Sequence, residues 1–594
     1  MNENKNLTVE ENYVLAVENQ QKNEHQAAIK LYNEILKINP NHINTRVNLG
    51  SIFINIGEFH KAINCLEKGI RIDPDNSYLN NNLGVVFNNL GEHQQAINFL
   101  KIAIRIDPDN VDANCNIGVA FKELGYYQKA ISHYRKAIDL NPNFVRALNN
   151  LANVHKDLGE HQQAKDCYEK AIEINPNFVE AINNLGVLFH DTGEYQKAMN
   201  CYEKVIKINP QYTQTHNNLG VMFKDMKKYQ KAIDIFQQGL QLVPNDFNMQ
   251  TNIASIYIAE LNDFEKAIDA SNNALKIHHK NSKFVNQSVS LFRLKHDVQQ
   301  AKYISQTGGF WNFFKSKNYK INGIDEFIKV GDEILKRKEN NEKENNSNKI
   351  ISLNPNEINS LLPYFKENTI YKTKTISGSC INPNKNWLEV EDEYLNSSNQ
   401  IMYIDDFLSD EALIELREFC LVSKVWNREY PNKYLGAFSD SGFISPIHLQ
   451  IAIDLQKKLP KLFGPHRLGK FWGFKYDANL GKGINIHADF AIHNLNFWIT
   501  PDEYNNNKKS GGLKVYDAPA PDNWTFKKYN GRKDKIYEFL KENNANCTNV
   551  PYKFNRAVLF NSAYFHETDE IDFKDEYVGR RINNTYLFGA RVVK

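Results

Sequence analysis

NNLGVVFNNLGEHQQAINFLKIAIRIDPDN, Asn81 to Asn110, returns with substitutions as NNLGVLFHDTGEYQKAMNCYEKVIKINPQY, Asn183 to Tyr212. The offset is 102 residues, three periods of 34. Extending that period both ways aligns Leu15, Leu49, Leu83, Ile117, Leu151, Leu185 and Leu219. It also aligns the alanines from Ala28 to Ala232 and the prolines from Pro40 to Pro244. An eighth copy starts near Ile253 and carries one inserted residue, so its alanine falls at Ala267. Apolar positions within each copy follow helical spacing, which predicts two helices per unit. Gly57, Gly91, Gly125, Gly159 and Gly193 mark the turn between them, and the proline follows the second helix end.

The order L-G-x-x-Y, A-x-x-x-[FY] and P at this period resembles the tetratricopeptide repeat. The resemblance covers about residues 10–280 and implies a right-handed superhelix with a long concave face. No copy carries the tryptophan usual in the first helix; the six tryptophans stand at 311, 387, 426, 472, 498 and 524. A further column, Asn48, Asn82, Asn116, Asn150, Asn184, Asn218 and Asn252, shares the period. Asparagine is a poor interior helix residue, so its recurrence needs a cause. Each amide offers one acceptor and two donors, which suits the backbone of an extended peptide. Similar ladders line the groove of O-linked N-acetylglucosamine transferases, whose repeats these resemble; no glycosyltransferase domain follows. The alternative is that the asparagines cap or cross-brace neighbouring repeats.

At 594 residues the chain is too long for one core. A net charge of +2 with 24% charged residues supplies no field that favours nucleic acid or an anionic membrane. Seven scattered cysteines without a CxxC pair suit a reducing compartment. The start shows neither a basic segment nor an apolar run of the signal-peptide type, and no stretch reaches membrane-spanning length. A cytoplasmic protein is expected.

After Lys280 the period decays. SKFVNQSVSLFRLKHDVQQAKYI reads as a capping helix, and KRKENNEKENNSNK, Lys336 to Lys349, as a polar linker. From Ile350 short apolar runs alternate with turn residues. MYIDDFLSDEALIELREFCLVSKVW reads as a strand and then a helix capped by Ser409.

One stretch near the end breaks the helical character: GINIHADFAIHNLNFW, Gly483 to Trp498. A His-x-Asp triplet alone is weak, and the chain holds another, His155-Lys156-Asp157, in a repeat helix. There, residues two apart point to different sides, and the triplet reads as surface. INIHADF alternates as a strand does, so His487 and Asp489 share a face and can converge on one metal ion. NRAVLFNSAYFHETDEI downstream ends a strand-like run at His566, and YVGRRINNTYLFGARVV follows with Arg580 and Arg581. His493 has the parity of His487 and is a weaker candidate ligand.

That ordered set resembles the iron(II)- and 2-oxoglutarate-dependent oxygenases, over about residues 400–594. The family fold is a double-stranded β-helix, a jelly-roll-type barrel. The resemblance implies His487, Asp489 and His566 as Fe(II) ligands, with positions left open for 2-oxoglutarate and dioxygen. The family's G-x-R-x-[ST] reads here Gly579-Arg580-Arg581-Ile582-Asn583. Arg581 is then the residue for the far carboxylate of 2-oxoglutarate, with Asn583 in place of the usual hydroxyl and Arg580 pointing the opposite way. Tyr476 matches a tyrosine that faces the cosubstrate, and SGGLKVYD at Ser510 resembles the Gly-Gly turn between the two histidines.

The chain thus reads as multidomain α + β. A tetratricopeptide superhelix covers 10–280, a capping helix and linker 281–349, and an oxygenase region 350–594, with a jelly-roll-like core over about 400–594. The implied reaction is oxidative decarboxylation of 2-oxoglutarate coupled to hydroxylation. A protein or peptide recruited by the repeats is the expected substrate. The alternatives are an oxygenase for a small or carrier-bound metabolite and a non-catalytic interaction scaffold.

Overall fold

The computed structural model describes residues 8–261, 263–280, 288–306, 321–339, 350–366, 369–371, 373–430, 432–521, 524 and 526–590. Contacts divide the chain into two compact units, Met1–Met222 and Phe223–Lys594, with the division inside the seventh repeat.

The first unit is a succession of helix pairs such as Ser77–Asn89 with His93–Ile106 and Val111–Glu123 with Tyr127–Leu140. Each pair turns on a left-handed residue, Gly91 at φ 78° and Gly125 at φ 78°, where a side chain would be strained. The glycine after the column leucine has a different cause. A Cβ at Gly84 would stand 2.4 Å from Leu100 Cγ, and one at Gly118 2.6 Å from Tyr134 Cε1, so glycine lets the paired helices approach. Leu83, Ile117, Ala96 and Ala130 are fully buried. Truncating such a leucine costs about 2–5 kcal/mol. Leu15, in the first copy, is 39% exposed. Asn76 and Asn110 start their helices by accepting from the amides of Leu79 and Ala113 at 3.1 and 2.8 Å.

In the second unit the inserted residue of the eighth copy meets a π-helical turn, Tyr257–Leu261, between the helices Phe247–Ile256 and Phe264–Lys280. A π turn is the geometry that absorbs one extra residue without breaking a helix. Helix Leu291–Gln306 follows the repeats, and helix Ile324–Glu339 takes in the first four residues of the expected linker; 340–349 lie outside the described residues.

The strands of this unit are β1 Ser288–Ser290, β2 Ile350–Ser352, β3 Ile401–Ile404, β4 Arg428–Tyr430, β5 Tyr434–Phe438, β6 Leu468–Tyr476 and β7 Asn479–Lys482. They continue with β8 His493–Trp498, β9 Leu513–Pro519, β10 Cys547–Val550, β11 Ala557–Asn561, β12 Tyr564–Thr568, β13 Glu570–Asp572 and β14 Ile582–Phe588. A seven-stranded antiparallel sheet runs β3-β11-β8-β14-β6-β5-β4, and a three-stranded sheet runs β10-β9-β12. Between β3 and β4 lies helix Asp410–Val422, started by Ser409, whose side chain accepts from Ala412 N.

Strand alternation gives the large sheet two apolar faces. Phe471, Leu495, Phe497, Leu559 and Tyr586 join Leu416, Phe419 and Ile447 of the covering helices in one core. Phe474, Tyr476, Trp498, Val558 and Phe560 face the other way and meet Leu513, Val515, Val550 and Tyr552 of the small sheet. The candidate site lies in this second layer.

Candidate metal centre

Among the described residues, His487, Asp489 and His566 are a group whose ligating atoms all lie within 4.8 Å of one another. The two imidazole rings stand 4.3 Å apart, and His566 Nε2 is 3.5 Å from Asp489 Oδ2. His487 Nδ1 is 2.8 Å from the Asn485 carbonyl and His566 Nδ1 3.0 Å from that of Tyr564. A carbonyl only accepts, so Nδ1 carries the proton in both rings and Nε2 is left with its lone pair for a metal. Burial pushes His566 far below the usual histidine range and pushes the Asp489 carboxyl up, against the opposing pull of His487 and Asn494. A neutral imidazole pair with a carboxylate is the donor set that suits a divalent transition metal.

The segment carrying His487 and Asp489 is not the regular strand expected from its alternation. It forms an isolated bridge at His487↔His566, while Thr568 N donates to Ile484 O and Asp489 N to Ser562 O. The pairing slips between these bonds, which breaks the ladder while leaving the chain extended. Alternation of faces survives because Ile486 and Ala488 are drawn into a separate cluster with Phe565, Tyr529, Ile536 and Leu540. His487 and Asp489 are thereby turned to the opposite side.

His493 is not brought to this group. Its ring packs against Phe463 and His466, 5.8 and 5.2 Å away, because the irregular segment before β8 cancels the shared parity. The triplet at His155 is also corrected: His155 is buried and bonds Glu160 at 2.5 Å, and Asp157 pairs with Lys122.

Arg581 precedes β14 and is 1% exposed. Its Nε donates to Gly511 O at 2.6 Å and its Nη2 approaches Gly512 O at 3.4 Å. The guanidinium lies 4.8 Å from the Tyr476 ring and 5.5 Å from that of Trp498. Both carbonyls belong to glycines whose backbone is constrained. Gly511 holds φ 80°, and a Cβ at Gly512 would stand 1.8 Å from Val550 O. Arg581 Nη1 is buried with no hydrogen-bond partner, and among the described residues no carboxylate pairs with this side chain. A buried cation without a counter-charge is costly, and an anionic ligand would relieve it. Tyr476 presents its hydroxyl alongside Arg581 and Thr568. Arg580 faces the helical layer instead, bonding Gln299 and pairing with Asp477.

Asn583 departs from the expected contact with a ligand: its Nδ2 donates to Asn496 Oδ1 at 2.9 Å and to Thr585 Oγ1 at 3.1 Å. Asn494, Asn496 and Thr585, buried beside Asp489, escaped the motif reading. Their signal is the group of polar residues inside HNLNFW and INNTYLF, strands otherwise apolar.

Six amides of the asparagine column, Asn48 to Asn218, donate to the protein itself. Asn48 Nδ2 donates to Tyr13 OH, Asn82 to Ser51 Oγ, Asn116 to Asn81, Asn150 to Cys115 Sγ, Asn184 to Asn149 and Asn218 to Asn183. Each bond reaches the preceding repeat.

Tetratricopeptide-repeat family models match residues 12–42, 145–178, 179–212 and 213–246, and a TPR-repeat model matches 50–91, 86–125 and 120–159. Comparison with the curated proteins finds no match. Similar solved structures include the MamA protein, 27% identical over 28% of this chain and 92% of that one, TM-score 0.25. PilF of Pseudomonas aeruginosa is 23% identical over 35% of this chain and 95% of its own, TM-score 0.30. A tetratricopeptide repeat protein from Parabacteroides merdae is 18% identical over 41% and 97%, TM-score 0.36. No helix of the described residues is long and apolar enough to cross a membrane. The amino-terminal part of this chain is an all-helical tetratricopeptide-repeat array, a scaffold of the kind that generally binds protein partners.

Proposed function

We propose that the carboxy-terminal β domain is a double-stranded β-helix oxygenase that uses Fe(II), 2-oxoglutarate and dioxygen, and that it hydroxylates a protein or peptide recruited by the repeats. The observation that carries this reading is the convergence of His487, Asp489 and His566 within 4.8 Å, with both histidines oriented by backbone carbonyls. Bound iron would supply chelation of the keto acid and activation of dioxygen. His487, Asp489 and His566 would hold one face of the metal and leave the other open. Arg581 Nη1 would take the far carboxylate of 2-oxoglutarate, while its Nε stays anchored on Gly511 O. Tyr476, Trp498 and Tyr552 wall the arginine and exclude water from its charge.

The test is anaerobic addition of Fe(II) and then 2-oxoglutarate to the full chain, reading the visible charge-transfer absorption of a chelated keto acid. A band in the wild type that His487→Ala removes supports the reading. Iron binding without a band removes 2-oxoglutarate from it, and no iron binding removes the oxygenase. The second reading is then a non-catalytic interaction scaffold. It is favoured by the family matches, which fall on the repeats.

A further inference from the structure

A line of buried side chains leads away from Asp489. Asn494 Nδ2 donates to Asp489 Oδ2 at 2.6 Å, and Asn496 Nδ2 donates to Asn494 Oδ1 at 2.6 Å. Asn496 Oδ1 accepts from Asn583 Nδ2 at 2.9 Å and from Thr585 Oγ1 at 2.6 Å. All four side chains are at least nine-tenths buried. The register explains how they meet: Asn496 on β8 lies directly opposite Thr585 on β14, and Asn583 is its diagonal neighbour.

The direction of the chain follows from chemistry. An ionised carboxylate only accepts, so Asn494 must present its NH2 to Asp489. Its carbonyl then faces Asn496, which must answer with NH2, and the carbonyl of Asn496 in turn requires donors from Asn583 and Thr585. Every amide dipole thus points its positive end at Asp489, and bonds aligned this way strengthen one another in a buried setting. The chain occupies Oδ2 of Asp489. It ends at Asn583, two residues after Arg581 and on the same face of its strand.

We propose that Asn494, Asn496, Thr585 and Asn583 form a positioning chain that fixes the rotation of the Asp489 carboxylate and links the metal position to the strand that follows Arg581. This rests on the oxygenase reading. It assigns Asn583 to the metal carboxylate rather than to the cosubstrate. None of the four touches the reacting atoms; they act through Asp489.

The experiment titrates the full chain with Mn2+ alone by calorimetry, then with 2-oxoglutarate in the presence of Mn2+, following tryptophan fluorescence. Asn494→Leu should weaken Mn2+ binding about tenfold, the scale of partners that orient a metal ligand. Thr585→Val, nearly the same shape and three hydrogen bonds from the carboxylate, should weaken Mn2+ binding roughly threefold, the size of one neutral hydrogen bond. Thr585→Ser keeps the hydroxyl and should restore wild-type affinity, which a packing role would not predict. If Asn494→Leu does not fold, the Val and Ser pair decides. Wild-type Mn2+ affinity in Asn494→Leu, or equal affinities in the Val and Ser variants, overturns the chain and leaves the metal site standing. A wild type that binds neither Mn2+ nor 2-oxoglutarate overturns the oxygenase reading, and the positioning chain with it.

Discussion

In the repeats, Asn116 donates to Asn81 and Asn184 to Asn149 across seams between consecutive units, and Asn81 donates in turn to Asn82. In the β domain, Asn494 and Asn496 donate one after the other toward a single carboxylate. The same residue type ends on neutral amides and hydroxyls in one region and on an acidic side chain in the other. Among neutral groups, losing one bond costs about what one neutral bond is worth. Bonds in series share an end point, so a break anywhere is felt at Asp489. The difference teaches that a run of buried amides ending on a carboxylate is a better pointer to a site than a repeated polar column.

The comparison is broken most strongly at the proposed metal ligands. His566→Ala should reduce Mn2+ affinity by more than the roughly 10–100-fold expected of outer partners, with unchanged circular dichroism. Retained affinity would mean that the convergence at this point has no ligand role. Next is Gly512→Ala. Its new Cβ would meet Val550 O, so about 1–3 kcal/mol of stability should be lost, together with the seat of Arg581. Differential scanning calorimetry reads the first effect and 2-oxoglutarate binding the second.

Acid should separate the two regions. Burial lowers His296 and His448 to about 3 and His278 to about 4, and all three lie in the second unit. A buried neutral histidine binds its proton more weakly than the unfolded chain does. Its contribution is therefore full above the ordinary value near 6.5 and is lost as pH falls from there toward 3 to 4. Each such histidine takes up to about 1.4 kcal/mol per pH unit in that window. Burial pushes Asp297 up, but Arg293 and His296 outweigh it and hold the group at about 2. Its stabilisation persists above about pH 4 and disappears between there and 2. Near-ultraviolet circular dichroism, which reports tryptophans that all follow residue 310, should be lost at higher pH than the helical far-ultraviolet signal. Coincident transitions would contradict this.

The smallest effect belongs to the column. Asn116→Ala should cost about 1 kcal/mol, visible as a shift in urea midpoint with unchanged slope, and should leave Mn2+ binding untouched. A change in metal affinity would mean that the two asparagine systems communicate.

Several features are legible in the sequence. The 34-residue period predicts the helix pairs, because helical spacing and turn glycines are local. Ser409 starts its helix as read, since a cap reaches only three residues. Arg580 and Arg581 part to opposite faces as adjacent residues in extended chain must. Other features were hidden. The irregular pairing of Ile484 to Asp489 depends on slips against 562–568, which no local pattern encodes. The Gly511 carbonyl under Arg581 joins residues seventy positions apart. The amide chain exists because Asn496 and Thr585 are register partners across β8 and β14.

Residue order alone therefore settled the 34-residue period and the pairing of helices within it, and it named the side chains proposed to carry ligand chemistry. Those follow from steric and hydrogen-bonding preferences that act within a few residues. Folding in three dimensions settled which of those side chains meet and which face each strand presents. It also settled which direction every buried amide takes. Each of these depends on strand register and on a shared carboxylate, and neither is specified until distant segments pair.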